Sequence, residues 1–169
     1  MLKYTICYIR WKDSLLLLNR KSPPVMGLWH GVGGKLEPGE TPVNSVLREV
    51  AEETGLLLNS VKDKGKITWE VEGASFGGMY AFLTELPDPE RYATPRLTEE
   101  GILDWKPVEW VLDPRNEGIP SHARHYLPLL LNDPSAYDHQ FVFVDGRLVS
   151  YSSVKLTSGI VAESPVKLI

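Results

Sequence analysis

Gly34 to Leu56 reads GKLEPGETPVNSVLREVAEETGL, a stretch whose spacing specifies a local structure and a chemistry together. As a pattern it is G-x5-E-x7-R-E-(aliphatic)-x-E-E-x-G-(aliphatic), and Gly34, Glu40, Arg48, Glu49, Val50, Glu52, Glu53, Gly55 and Leu56 fill every fixed position. At ordinary residue frequencies a chance match has odds on the order of 10⁻⁷. Thr41 can cap a helix N-terminus, Pro42 suits the first helical position, and Gly55 can end the helix in a left-handed conformation, so the stretch predicts a helix over 42–54. Val43, Val46, Leu47, Val50 and Thr54 recur at three- and four-residue steps and make one packed face. Glu49, Glu52 and Glu53 project together from the other side.

Three clustered anions repel, and Arg48 paired with Glu52 one turn on offsets only part of the charge. Convergent carboxylates of this kind suit hard divalent cations, which take several oxygen ligands and accept water or phosphate oxygens among them. Upstream, Gly31-Val32-Gly33-Gly34-Lys35 lets backbone groups approach an anion or metal closely, and Lys35 adds positive charge. Beside an acidic helix, such a stretch reads as a phosphate-and-metal site.

The pattern resembles the Nudix box, the signature of hydrolases that cleave a nucleoside diphosphate linked to another group. The resemblance implies an α/β fold, an α/β/α sandwich with a mixed β-sheet, and Mg²⁺ as cofactor with Mn²⁺ as an alternative. It implies Glu49, Glu52, Glu53 and the Gly33 carbonyl as metal ligands, with Arg48 orienting a glutamate. Glu40 reads as a supporting acid or as a favourable charge at the helix N-terminus. Glu49 or Glu53 is the expected base-associated carboxylate, with Glu100 as an alternative from a later loop. Over residues 1 to 151 the chain is similar to MutT-like nucleoside triphosphate pyrophosphohydrolases, especially the oxidised-purine type, through Tyr4-Thr5, Leu28-Trp29-His30-Gly31 and Tyr126 to Leu131. It departs from that subgroup at His30, where the subgroup usually has Asn, and at Ser121-His122-Ala123, where it carries paired acids. Thr5, His30, Lys35, Trp69 and His122 are the expected substrate-binding residues.

The resulting expectation is hydrolysis of nucleoside triphosphates, oxidised purines such as 8-oxo-dGTP among them, to monophosphate and pyrophosphate. Two alternatives stand beside it. One is a Nudix hydrolase of a dinucleoside polyphosphate, an ADP-sugar or an RNA 5′ end; Val71 and Glu72-Gly73-Ala74 stand where the ADP-ribose group carries a marker Pro and the dinucleoside group a marker Tyr. The other is a non-catalytic, nucleotide-sensing module, which the retention of every box glutamate disfavours.

Composition sets the frame. With 169 residues and 43% hydrophobic content the chain suits one core, read as a domain over 1–151 followed by a tail or added edge strand over 152–169. A net charge of −4 without a basic run argues against extended nucleic-acid binding; the expected partner is a single nucleotide, bound by a monomer or homodimer. Cys7 is alone and reads as a small core residue. Leu15 to Leu18 is too short to span a bilayer and the N-terminus lacks a signal-peptide profile, so a cytoplasmic protein is expected.

Strands are predicted over 3–11 and 14–20, through Ile67–Val71, at Met79–Leu86 and through Trp105–Val111. Pro87, Pro89 and Pro95 mark a loop, a helix is predicted from Ser121 to Leu131, and Phe141–Val144 with Leu148–Tyr151 read as a hairpin about Asp145-Gly146. Phe76 and Met79 read as core. Trp69, with an aromatic face to offer, is a candidate base-pocket wall. His122 and His125, three apart, lack a third ligand at suitable spacing and read as packing residues.

Overall fold

A computed structural model describes residues 1–72, 75–87 and 92–157. Its strands are β1 (Tyr4–Trp11), β2 (Ser14–Arg20), β3 (Trp29–His30), β4 (Lys62–Val71), β5 (Ser75–Glu85), β6 (Arg96–Leu97), β7 (Gly101–Pro107), β8 (Tyr137–Val144) and β9 (Arg147–Lys155). Its helices are α1 (Pro42–Thr54), α2 (Val108–Leu112) and α3 (Ala123–Asn132). The strands form one mixed sheet in the order β6-β7-β2-β1-β5-β4-β8-β9, with β3 paired to β2. β1 runs parallel to β5 and β4 parallel to β8; the other pairs are antiparallel.

The apolar runs of β1 and β2 show why the sheet lies between helices. Side chains alternate across a strand, so Ile6, Tyr8, Leu15 and Leu17 reach one face while Cys7, Ile9, Leu16 and Leu18 reach the other, and all eight are buried. On the first face they pack with Val111 of α2 and with Tyr126, Leu127 and Leu130 of α3. On the second they meet Val46 and Val50 of α1. This is the expected α/β/α sandwich. The Tyr8 and Tyr126 hydroxyls lie 2.7 Å apart and pin α3 to the central strand.

α1 has the predicted bounds. The Thr41 side chain accepts from the Asn44 N–H at 3.2 Å, Pro42 opens the helix, and Gly55 closes it at φ 76°. The β8–β9 turn also forms at Asp145-Gly146, both with positive φ, as a type I′ turn requires. Cys7 is buried and unpaired, its thiol pushed up to about 12 by burial.

Several expectations are corrected. The strand predicted through Trp105–Val111 ends at Pro107, which has no N–H to continue the ladder, and Val108–Leu112 turns into α2 with Val111 in the core. α3 begins at Ala123 rather than Ser121, with His122 in the capping position. β5 begins at Ser75, and Phe76 is 71% exposed near its start rather than in the core. The stretch from 152 continues β9 as far as Lys155 at the sheet edge; 158–169 lie outside the described residues, as do Gly73-Ala74 and Pro89.

His139 is fully buried on β8, stacked on Tyr151 with its Nδ1 3.0 Å from that hydroxyl. Burial lowers its pKa to about 4; burial likewise lowers His122 to about 4 and, with the nearby His122 and Arg20, lowers His30 to about 3. The unfolded chain therefore binds protons from about pH 6.5 downward while the folded chain does not until about pH 4, so this contribution is complete above pH 6.5 and is lost on acidification. Urea unfolding at pH 7 and pH 5 is expected to differ, and His139→Phe is expected to shrink that difference by about 2 kcal/mol.

Candidate active site

The glycine stretch is laid directly against β1. Over its first half β1 meets not β2 but residues 32–35: the Thr5 N–H donates to the Gly34 carbonyl at 2.8 Å and the Cys7 N–H to the Val32 carbonyl at 2.7 Å. Gly33 sits at φ 152°, and a Cβ there would come within 2.9 Å of the Ile6 Cα. A Cβ on Gly34 would enter the Glu49 carboxylate, 2.5 Å from its Oε2. Both positions need glycine because β1 presses on one side and α1 on the other.

Arg48 organises the acids. Its Nε and Nη2 donate to the two carboxylate oxygens of Glu40 at 3.0 and 2.9 Å, its Nη1 to Glu49 Oε1 at 2.9 Å and Glu52 Oε2 at 3.1 Å, and its Nη2 also to the Lys35 carbonyl at 3.2 Å. The sequence pairing with Glu52 is one of five such bonds. Glu40 is thus Arg48's principal partner, and that fork holds its carboxyl down at about 2. Glu53 is held separately, accepting the Gly33 N–H at 2.9 Å. Burial, with smaller contributions from Glu49 and Glu100, raises its pKa to about 7 against the pull of that N–H and of Arg20. Burial also raises Glu49, against the pull of Arg48.

Two adjoining cavities open here. One, of about 530 Å³, is lined by Arg20, Gly33, Gly34, Glu49, Glu52, Glu53 and the Thr98–Glu100 turn, so Glu100 is brought to the same space as the helix acids. The Thr98 hydroxyl accepts from the Glu100 and Gly101 N–H groups and shapes that turn. The second, of about 860 Å³, is mainly apolar; Trp69, Met79, Phe141, Phe143, Leu28 and Val25 contribute, with Thr5, His30 and His122. Thr5 Oγ1 and His30 Nε2 are buried there without a hydrogen-bond partner. Arg20, Gly33 and Gly34 belong to both cavities.

Thr5, His30, Trp69 and His122 are therefore brought together, in a space separate from but open to that of Glu49, Glu52, Glu53 and Glu100. Lys35 is not: its side chain is exposed and lines neither cavity, because its backbone is consumed by β1 and Arg48. Arg20 is the cation at that place, and its Nε is buried without a partner. Sequence reading passed it over as the end of an apolar strand; its proximity to the acids follows from the β2–β7 pairing of Arg20 with Gly101, next to Glu100.

By chemistry Glu49, Glu52, Glu53 and the Gly33 carbonyl could supply oxygen donors with net negative charge, the kind that a hard divalent ion selects. Among the described residues no three acids or histidines stand close enough to close around an ion as they are. Arg48 holds Glu49 and Glu52 toward itself, and the glycine loop holds Glu53.

The NUDIX domain pattern matches residues 2–129, and the chain belongs to the Nudix hydrolase family, whose members use divalent metal ions and act on nucleotide substrates. In sequence it is similar to the uncharacterized Nudix hydrolase YvcI of Bacillus subtilis and to the oxidized purine nucleoside triphosphate hydrolase of Mus musculus, each 28% identical over 151 residues, covering 88% of this chain and 92% of the relative. In fold it is similar to the MutT protein of Bacillus halodurans, with a TM-score of 0.74 at 26% identity over 90% of this chain and 97% of that one. No helix among the described residues is long and apolar enough to cross a membrane.

The Glu53 carboxyl, raised from its ordinary 4.5 to about 7, makes a stability contribution that is present below pH 4.5 and lost as pH rises through 7. Glu53→Gln is expected to raise the stability of the metal-free protein at pH 8 by about 1 to 3 kcal/mol and to give no such gain at pH 4, as read by denaturant unfolding.

Proposed function

We propose that this chain is a Mg²⁺-dependent nucleoside triphosphate pyrophosphohydrolase that places the triphosphate in the acidic cavity and the base in the apolar one. The observation that supports this is the junction: one cation, Arg20, and one glycine pair border both spaces, so a molecule with a polyanionic end and a flat apolar end fits across them. Glu49, Glu52, Glu53 and the Gly33 carbonyl would hold the metal. When bound, a divalent ion neutralises phosphate charge and acidifies water. Arg20 faces the phosphates and adds positive charge where the anhydride negative charge is concentrated. Arg48 keeps Glu49 and Glu52 in place through its anchor on Glu40. Glu53 accepts the proton of the attacking water, with Glu49 or Glu100 as the other carboxylate within the same space. Attack on phosphorus gives a nucleoside monophosphate and pyrophosphate.

The base is read by neutral groups. Among the described residues no carboxylate lines the apolar cavity; beyond Arg20 Nε at the junction, Thr5 Oγ1 and His30 Nε2 are unpartnered polar atoms there, Trp69 supplies an aromatic wall, and His122 stands nearby. Similarity to the mouse oxidized purine hydrolase makes 8-oxo-dGTP a first substrate to test, while His30 and His122 set this cavity apart from an acid-lined one. The domain is proposed to run past residue 151, through Lys155 of the edge strand β9.

A panel of canonical and oxidised nucleoside triphosphates, ADP-ribose and dinucleoside polyphosphates, with products resolved, tests the reading. Triphosphates are expected to yield monophosphate and pyrophosphate; inactivity on all of them with Mg²⁺ overturns it. Glu53→Gln is expected to lower kcat by about 10² or more, and Trp69→Ala to raise KM about tenfold with a smaller change in kcat.

A further inference from the structure

We propose that Gly77, outside the cavity lining, is a positioning residue that sets where the Trp69 indole stands in the apolar cavity. Trp69 and Gly77 are cross-strand partners in the β4–β5 pair, next to Ile67 and Met79 on the same face. A Cβ added at Gly77 would stand 2.7 Å from Cε2 and 3.0 Å from Cζ2 of the indole, and closer still to Nε1. The indole lies against the bare backbone of β5 and is also part of the cavity lining, with Met79 and Phe141.

A glycine inside a strand costs about 0.5–1 kcal/mol relative to alanine and has no side chain to pack, so its presence marks a close approach. Here what approaches is a rigid ring, which cannot bend out of the way as a flexible chain end would. A methyl at this position drives the ring about 1 Å away from β5 to restore van der Waals separation. Because Trp69 lines the cavity with its β-sheet neighbours Met79 and Phe141, moving the ring off β5 changes the wall of the space that a base would occupy. Gly77 therefore governs the width of a slot whose wall belongs to another residue. The consequence for turnover rests on the reading of this cavity as the base pocket; the placement of the ring does not.

The test is a double-mutant cycle on full-length protein. Gly77→Ala is expected to raise KM about three- to tenfold for the probes 8-oxo-dGTP and dATP, with kcat within about twofold. Trp69→Phe presents a smaller ring, and in that background the same Ala is expected to leave KM unchanged. A second readout needs no substrate: Gly77→Ala should shift the intrinsic tryptophan emission of the ligand-free protein, and the shift should vanish in the Trp69→Phe background. An equal KM penalty in both backgrounds, or an unchanged emission, overturns the proposal. If the emission cycle behaves as expected while Trp69→Ala leaves KM untouched for both probes, Gly77 sets the ring and the base-pocket reading is what fails.

Discussion

The structure around the site depends on one guanidinium. Glu40, Glu49 and Glu52 gather from the loop and from two turns of α1, and without Arg48 their mutual repulsion would push apart the glycine loop and the helix. Arg48 makes five hydrogen bonds, four to carboxylates and one to the Lys35 carbonyl, and is only a quarter exposed. Hydrogen bonds to charged groups are individually worth about 1.5–3 kcal/mol, and the planar fork loses little entropy in making several at once. Lysine, a point charge, could not bridge Glu40 in two places while also holding the helix acids.

Glu53 lies outside that arrangement, and the difference carries chemical meaning. Its partner is a neutral N–H rather than a cation, so burial dominates and its pKa rises to about 7, while Glu40 under the same helix is held at about 2. The two carboxyls are thus tuned in opposite directions, Glu53 by burial and Glu40 by its cationic partner. The permanently ionised Glu40 anchors Arg48, while the raised value of Glu53 belongs to the metal-free protein, and a divalent ion bound beside it would lower it.

Much of this was legible in the residues. Helix α1, its caps and its acidic face follow from local rules, since Thr41, Pro42 and Gly55 act within a few residues of themselves. The alternation in β1 and β2 is equally local. Errors arose where a contact between distant segments decides. Pro107 and the packing of Val111 turned a predicted strand into α2, and Phe76 lies exposed near the start of β5. Lys35 looked like the phosphate-side cation because it adjoins the glycines, yet the β1 contact turns it outward and the β2–β7 pairing brings in Arg20 instead.

The sequence by itself determined the α/β class and the set of acids with their arginine, because these depend on helical period, capping and charge within a single continuous stretch. Tertiary structure alone decided which cation faces the acids and which side chains enclose the apolar cavity. It also decided that Gly77 lies under the Trp69 ring. Arg20, Glu100, Trp69, Gly77 and Phe141 come from five different strands or turns, and their meeting is a property of strand order and register, which no local spacing encodes.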